Sequence, residues 1–262
     1  MDNYNSFIEV IGKKLYYEII NPSFMNSEVP FLVFLHEGLG SCEQWKDFPK
    51  SVSDKLKYPA LIYDRYGYGK SEKLKEPRNL NFLHDEAFIV LPELLQKLNI
   101  KNKLILVGHS DGGSIALLFA SKFPKKVIGL ISEADHVKLE EISLNGIKNC
   151  VIEYEKGVLK EFLLKYHKEK TDSMFYGWTD NWLSEKGEFW NIEEYLKSIT
   201  SPLLAIQGNK DNFGSSEQLI SKLKNVKGTI EILYLNNCGH IPHFHAKEKV
   251  LKRIVDFITN LN

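Results

Sequence analysis

"VGHSDGGS", residues 107–114, ends the apolar run "KLILV" at 103–107 and leads into a helical pattern that starts at about residue 113. Ser110 has Gly108 and Gly112 two positions to either side. Alone, such a match is weak, because glycine is common in every globular chain. Its place between a buried strand and a helix gives it meaning. Small flanking residues let strand and helix approach closely, so Ser110 can hold strained backbone angles and lift its hydroxyl above a sheet edge. A helix start beneath it favours developing negative charge. The other reading open at this point is a glycine-rich turn without chemistry.

Outward from this corner, short β-rich runs recur: "KLYYEII", "FLVFL" (31–35), "ALIYD" (60–64) and "VIGLIS" (127–132). Near-continuous apolar runs suit strands buried on both faces of a parallel sheet. Between them, "FLHDEAFIVLPELLQKLN" and "GSIALLFASKF" repeat apolar residues at three and four positions, as crossover helices require. The expected fold is therefore α/β, a doubly wound and mostly parallel sheet. From 136 to 198 the strand pattern vanishes into helical, aromatic sequence, and it resumes at "PLLAIQG" (202–208) and "TIEILYL". This division predicts a core over 1–135, an inserted helical cap over 136–198, and the rest of the core over 199–262.

Composition excludes several classes. The 262 residues carry 34 basic and 34 acidic side chains, so no overall field favours nucleic acid or an anionic membrane. A 43% hydrophobic and 26% charged chain is of the globular class. The N-terminal "MDNYNSFIEV" has no basic start before an apolar stretch, and no apolar run approaches the ~20 residues of a membrane span. A cytoplasmic protein with a small-molecule partner is expected, its oligomeric state open. Cys42, Cys150 and Cys238 are far apart and form no CxxC pair, so neither a disulfide framework nor a structural zinc site is suggested.

A serine hydroxyl needs a base to take its proton, and the base needs an oriented partner. "NKDNFG" places Asp211 after the strand "PLLAIQG", and "NNCGHIPH" places His240 after the strand "TIEILYL". Both loops leave strands at the edge where Ser110 sits. An oxyanion would need amides as well; Asp111, directly after the nucleophile, and Gly38, in "HEGLGS" after "FLVFL", are the candidates. The Asp111 carboxyl reads either as a helix cap or as an acid beside the nucleophile. Glu133 and Asp135 compete with Asp211 as the acid, and Asp64 with Arg65 reads as a structural pair supporting the elbow. His36 and His109 read as loop-bonding rings. "HIPHFH" lacks a local carboxylate or cysteine at ligand spacing, so no metal and no cofactor are expected. Tyr176, Trp178, Trp182, Phe189 and Trp190 either pack the cap onto the core or line a cavity roof.

"HEGLGS", "YDRYGYGKS" (63–71), "GHSDGG", "QGNKDNFG" and "CGHIPH" together resemble the oxyanion loop, Asp-x-Arg turn, nucleophile elbow, acid loop and histidine loop of the α/β-hydrolase superfamily, across essentially the whole chain. The resemblance implies the α/β-hydrolase fold and the triad order Ser110, Asp211, His240. Glu37 and Tyr66 stand where that family usually has glycine, and Asp111 where methionine or glutamine is commoner. The expected activity is hydrolysis of a small to medium, hydrophobic or aromatic carboxylic ester. Carbon–carbon bond hydrolysis of a ring-fission product, a lactonase or thioesterase, and a ligand sensor with a slow triad are the alternatives.

Overall fold

The computed structural model describes residues 4–25 and 28–261. Eight strands, β1 (Tyr4–Val10), β2 (Lys13–Ile20), β3 (Phe31–Leu35), β4 (Ala60–Tyr63), β5 (Leu104–His109), β6 (Val127–Glu133), β7 (Leu203–Gly208) and β8 (Ile230–Leu235), form one sheet in the order β1-β2-β4-β3-β5-β6-β7-β8. Pairings from β4 through β8 are parallel, whereas β1–β2 and β2–β4 are antiparallel. The alternation in "FLVFL" explains the double winding. Phe31, Val33 and Leu35 face one apolar layer, Leu32 and Phe34 the other. The first layer is covered by α2 (Phe82–Asp85), α3 (Leu91–Lys97) and α4 (Asp111–Lys122), with the π-helical turn Glu86–Val90 joining α2 to α3; the second is covered by α1 (Phe48–Leu56) and the C-terminal helix Lys247–Thr259.

β1 has no counterpart in the sequence reading. It is a largely exposed edge strand whose inward residues, Ile8 and Val10, give a weak signal. The clue was the turn: Ile11 and Gly12 have φ of 49° and 67°, the left-handed pair of a two-residue hairpin.

Between β6 and β7 the chain forms α5 (Glu141–Glu155), α6 (Val158–His167), α7 (Thr171–Trp182) and α8 (Glu193–Leu196), with one isolated bridge, Lys138 to Asn191, at its root. Buried His167 ties this segment to the loops after β3 and β4: its Nδ1 accepts the Gly69 amide at 2.9 Å and its Nε2–H donates to the Leu39 carbonyl at 3.0 Å. Burial lowers its pKa to about 4, so the neutral ring can donate and accept at once. After β7 come α9 (Glu217–Asn225), and after β8 the short α10 (Pro242–His245) and α11 (Lys247–Thr259).

Candidate active site

β5 ends at His109 and α4 begins at Asp111, leaving Ser110 alone at the corner with φ 52° and ψ −121°. A non-glycine residue holds such angles only when its surroundings impose them. The glycines do so here: a Cβ on Gly108 would lie 2.2 Å from the Gly112 oxygen, and one on Gly112 would lie 1.9 Å from the Leu35 oxygen. Strand and helix are therefore closer than side chains would allow. Ser110 is 5% exposed, at the C-terminal edge of the sheet.

The loops after β7 and β8 bring Asp211 and His240 to this hydroxyl. His240 Nδ1 lies 2.8 Å from Asp211 Oδ1, and His240 Nε2 lies 2.9 Å from Ser110 Oγ. An ionised carboxylate only accepts, so Nδ1 carries the proton and the Nε2 lone pair faces the hydroxyl. Asp211 also accepts the Phe213 amide on Oδ1 at 2.8 Å and the Gln207 amide group on Oδ2 at 2.6 Å. Burial works to raise its pKa, but His240 and the Phe213 amide outweigh burial and hold it below the usual carboxylate range. His240 is shifted downward as well, mainly by burial, with Asp211 opposing. The ring is thus a free base at neutral pH.

The competing acids go elsewhere. Asp135 pairs with Lys222 in the interior, and Glu133 Oε2 receives His243 Nδ1 at 2.8 Å. His245 Nδ1 accepts the Gly239 amide at 3.2 Å, so His240, His243 and His245 turn to three different partners. Among the described residues no group of histidine, cysteine and carboxylate side chains is arranged to hold a metal ion.

Asp64 and Arg65 do not pair, contrary to expectation. Asp64 accepts the amides of Cys42 and Lys70 at 2.6 and 2.7 Å, while Arg65 donates to the carbonyls of His36 and Glu37 at 2.9 and 2.7 Å. Adjacent side chains on an extended backbone point apart, which separates them. His36 Nδ1 donates to the same Glu37 carbonyl at 2.8 Å. In a trans peptide the N–H points opposite to the C=O, so two donors on the Glu37 oxygen turn the Gly38 amide away from Arg65. The Asp111 amide is the first of α4 and has no acceptor within the helix.

The Asp111 carboxyl accepts the indole N–H of Trp178 at 3.2 Å; it does not cap the helix. Burial raises its pKa, with Arg65 opposing. Gly38 lies under the same indole, where a Cβ would be 2.2 Å from Trp178 Nε1. Sequence reading saw Trp178 only as one of five aromatics. Trp178 and Trp182 border a cavity of about 420 Å³ that also reaches Ser110, His240, Ile147 and Leu163. Trp190 packs edge-on against Trp182, whereas Tyr176 and Phe189 are 40% and 78% exposed and take no part in the cavity. No helix among the described residues is long and apolar enough to cross a membrane.

Residues 30–149 match a family model described as the alpha/beta hydrolase fold. The chain is 25% identical to the proline iminopeptidase of Saccharolobus solfataricus, over 95% of this chain and 90% of the other. It is also 25% identical to Lipase 3 of Moraxella sp., over 77% and 70%. Among solved structures, MGS-M2, an alpha/beta hydrolase enzyme from a Medee basin deep-sea metagenome library, superposes with a TM-score of 0.79 at 20% identity, covering 97% of this chain and 98% of that one. With this sheet order, the family match over residues 30–149 and these superpositions, the chain has the α/β-hydrolase fold, and its relatives mark it as a hydrolase enzyme.

Proposed function

We propose that the chain is a serine hydrolase of apolar carboxylic esters. Ser110 attacks the carbonyl as His240 takes its proton, and Asp211 orients the ring and stabilises its cationic form. The Gly38 and Asp111 amides receive the oxyanion. Water then cleaves the acyl-enzyme, with His240 again the base. Residues 136–198 act as a cap, since Leu139, Ile147, Leu163 and Trp178 from this stretch border the cavity above Ser110.

The observation that carries this reading is the hydrogen-bonded chain Asp211–His240–Ser110 opening on that apolar cavity. The cavity also favours esters over ring-fission diketones, whose carboxylates would need cationic partners. Among the described residues its one lysine, Lys46, donates to the Tyr166 hydroxyl at 2.7 Å, and no arginine borders it. The test is a series of p-nitrophenyl esters of rising acyl length, run beside a ring-fission substrate. Each added methylene is expected to raise kcat/KM about 4-fold, from ~0.8 kcal/mol per buried methylene, until the cavity is full. Ser110→Ala abolishes turnover and fluorophosphonate labelling. Rapid turnover of the ring-fission compound with negligible esterase activity refutes the ester reading, and release stalling after one equivalent identifies a sensor.

A further inference from the structure

Glu37 and His109 are used by no step above. Glu37 lies in the loop after β3 and borders the cavity, and its carboxylate turns toward the ring of His109, with Oε2 3.5 Å from Nδ1. On its other side, His109 Nε2 lies 2.7 Å from the main-chain carbonyl of His240. A carbonyl and a carboxylate can only accept: Nε2 has the carbonyl within hydrogen-bond distance, whereas Nδ1 is buried without a hydrogen-bond partner and has the carboxylate at ion-pair distance. Either neutral tautomer would leave one nitrogen lone pair directed at an oxygen. The ring is 1% exposed.

We propose that Glu37 and His109 form a charged clamp that positions His240: the carboxylate holds the His109 ring in its doubly protonated form, and the ring fixes the His240 main chain through Nε2–H. The inference rests on the reading of His240 as the base. Glu37 and His109 touch no reacting atom and are positioning residues.

The groups facing His109 come from four directions. Glu37 follows β3, Glu133 ends β6, His240 lies in the loop after β8, and His243 of α10 packs edge-on with ring centroids 5.0 Å apart. Burial favours the neutral ring, yet Glu37, Glu133 and the His240 carbonyl outweigh it, and the pKa of His109 is raised. For Glu37, burial is outweighed by His109, and its pKa falls to about 2. The clamp is therefore charged from the lower limit set by Glu37 up to the raised pKa of His109, and its charge is lost as pH rises through the latter.

The cation has a second effect. The rings of His109 and His240 are 5.2 Å apart, and a positive neighbour disfavours protonation of His240. Without Glu37, the pKa of His109 falls and burial favours the neutral ring. His240 then loses that neighbour and its pKa rises.

The test compares Glu37→Gln, His109→Asn and the double variant with wild type, using ¹⁵N NMR of the histidine rings and pH profiles of ester hydrolysis. Ser110→Ala and His240→Gln test the triad separately. At pH 6.5, the ordinary histidine value, wild-type His109 is expected to be mostly doubly protonated, and mostly singly protonated in Glu37→Gln. In that variant the acid limb of kcat/KM moves up by about half to one pH unit, the effect of a unit charge at that separation through a water-like dielectric. Its kcat falls up to about 10-fold with KM little changed, short of the ~100-fold loss for a 1 Å misplacement. His109→Asn keeps an N–H for the carbonyl but no charge, so it shifts the same limb, and the double variant is no worse than the poorer single one. A singly protonated His109 in wild type, superimposable acid limbs, or multiplicative losses overturn the clamp. Turnover surviving in Ser110→Ala or His240→Gln places the fault in the triad reading instead. If a clamp variant does not fold, the wild-type ring spectrum alone decides.

Discussion

Asp211→Asn removes one negative charge and almost no volume, and the surroundings of Asp211 dictate how the amide must sit. Oδ1 serves two donors, the His240 ring and the Phe213 main-chain N–H. The Phe213 amide is fixed, so the asparagine oxygen must stay on that side and its NH₂ must face Gln207. Gln207 can turn to receive it, because its Oε1 is buried without a partner, at the expense of its 3.3 Å bond to the Gly214 oxygen. His240 then keeps its proton on Nδ1 and its lone pair toward Ser110. Only the charge is lost. A pair of unit charges at 2.8 Å, at an effective dielectric constant of about 20, amounts to roughly 6 kcal/mol. A neutral hydrogen bond retains about half the strength of a charge-assisted one, leaving a deficit near 3 kcal/mol. The expected loss in kcat/KM is therefore ~100- to 1000-fold. It is smaller than the ~10⁴-fold loss that follows when the equivalent change in a serine protease inverts the tautomer.

The assay is steady-state hydrolysis of a p-nitrophenyl ester, with the folded fraction set by a denaturation curve. Asp135→Asn serves as control: it strands Lys222 and costs about 3–5 kcal/mol of stability, yet activity per folded molecule should hold. A loss under 10-fold in Asp211→Asn, or a larger loss in the Asp135 control, refutes Asp211 as the working acid. A loss of 10⁴-fold or more shows that the amide has turned its NH₂ to His240 and that the Phe213 amide does not hold it.

Ser110 separates strain from chemistry. At φ 52° and ψ −121°, Ser110→Gly relieves about 1–3 kcal/mol of backbone strain and loses about 0.5–1 kcal/mol to chain entropy, so it should melt above Ser110→Ala although both are inactive. Equal melting curves would show the corner to be unstrained. The pH profile follows from His240. Its active form is neutral, its pKa is lowered by burial, and activity is lost as pH falls through that value. The acid limb of kcat/KM is expected below the ordinary histidine value of about 6.5. A limb at or above it would mean that Asp211 outweighs burial.

The apolar runs, their helical intervals and the glycines around Ser110 were legible in the linear sequence, because strand burial, helix periodicity and close backbone approach each depend on neighbouring residues. The same reading ordered Ser110, Asp211 and His240 at strand ends. β1 escaped it because an exposed edge strand has little apolar pattern to display. Asp64 and Arg65 escaped it because adjacency in sequence is not adjacency of side chains.

The partners of the polar groups belonged to tertiary structure alone. Trp178 reaches Asp111 across 67 residues, and His109 meets the His240 carbonyl across 131. Protonation follows the same rule: whether Glu37 is a stray carboxylate or the counter-ion of a buried ring depends on burial and on charges a few ångströms away. A local pattern says which residues leave a sheet edge together. Only the folded chain decides which of their atoms meet, and with which protons.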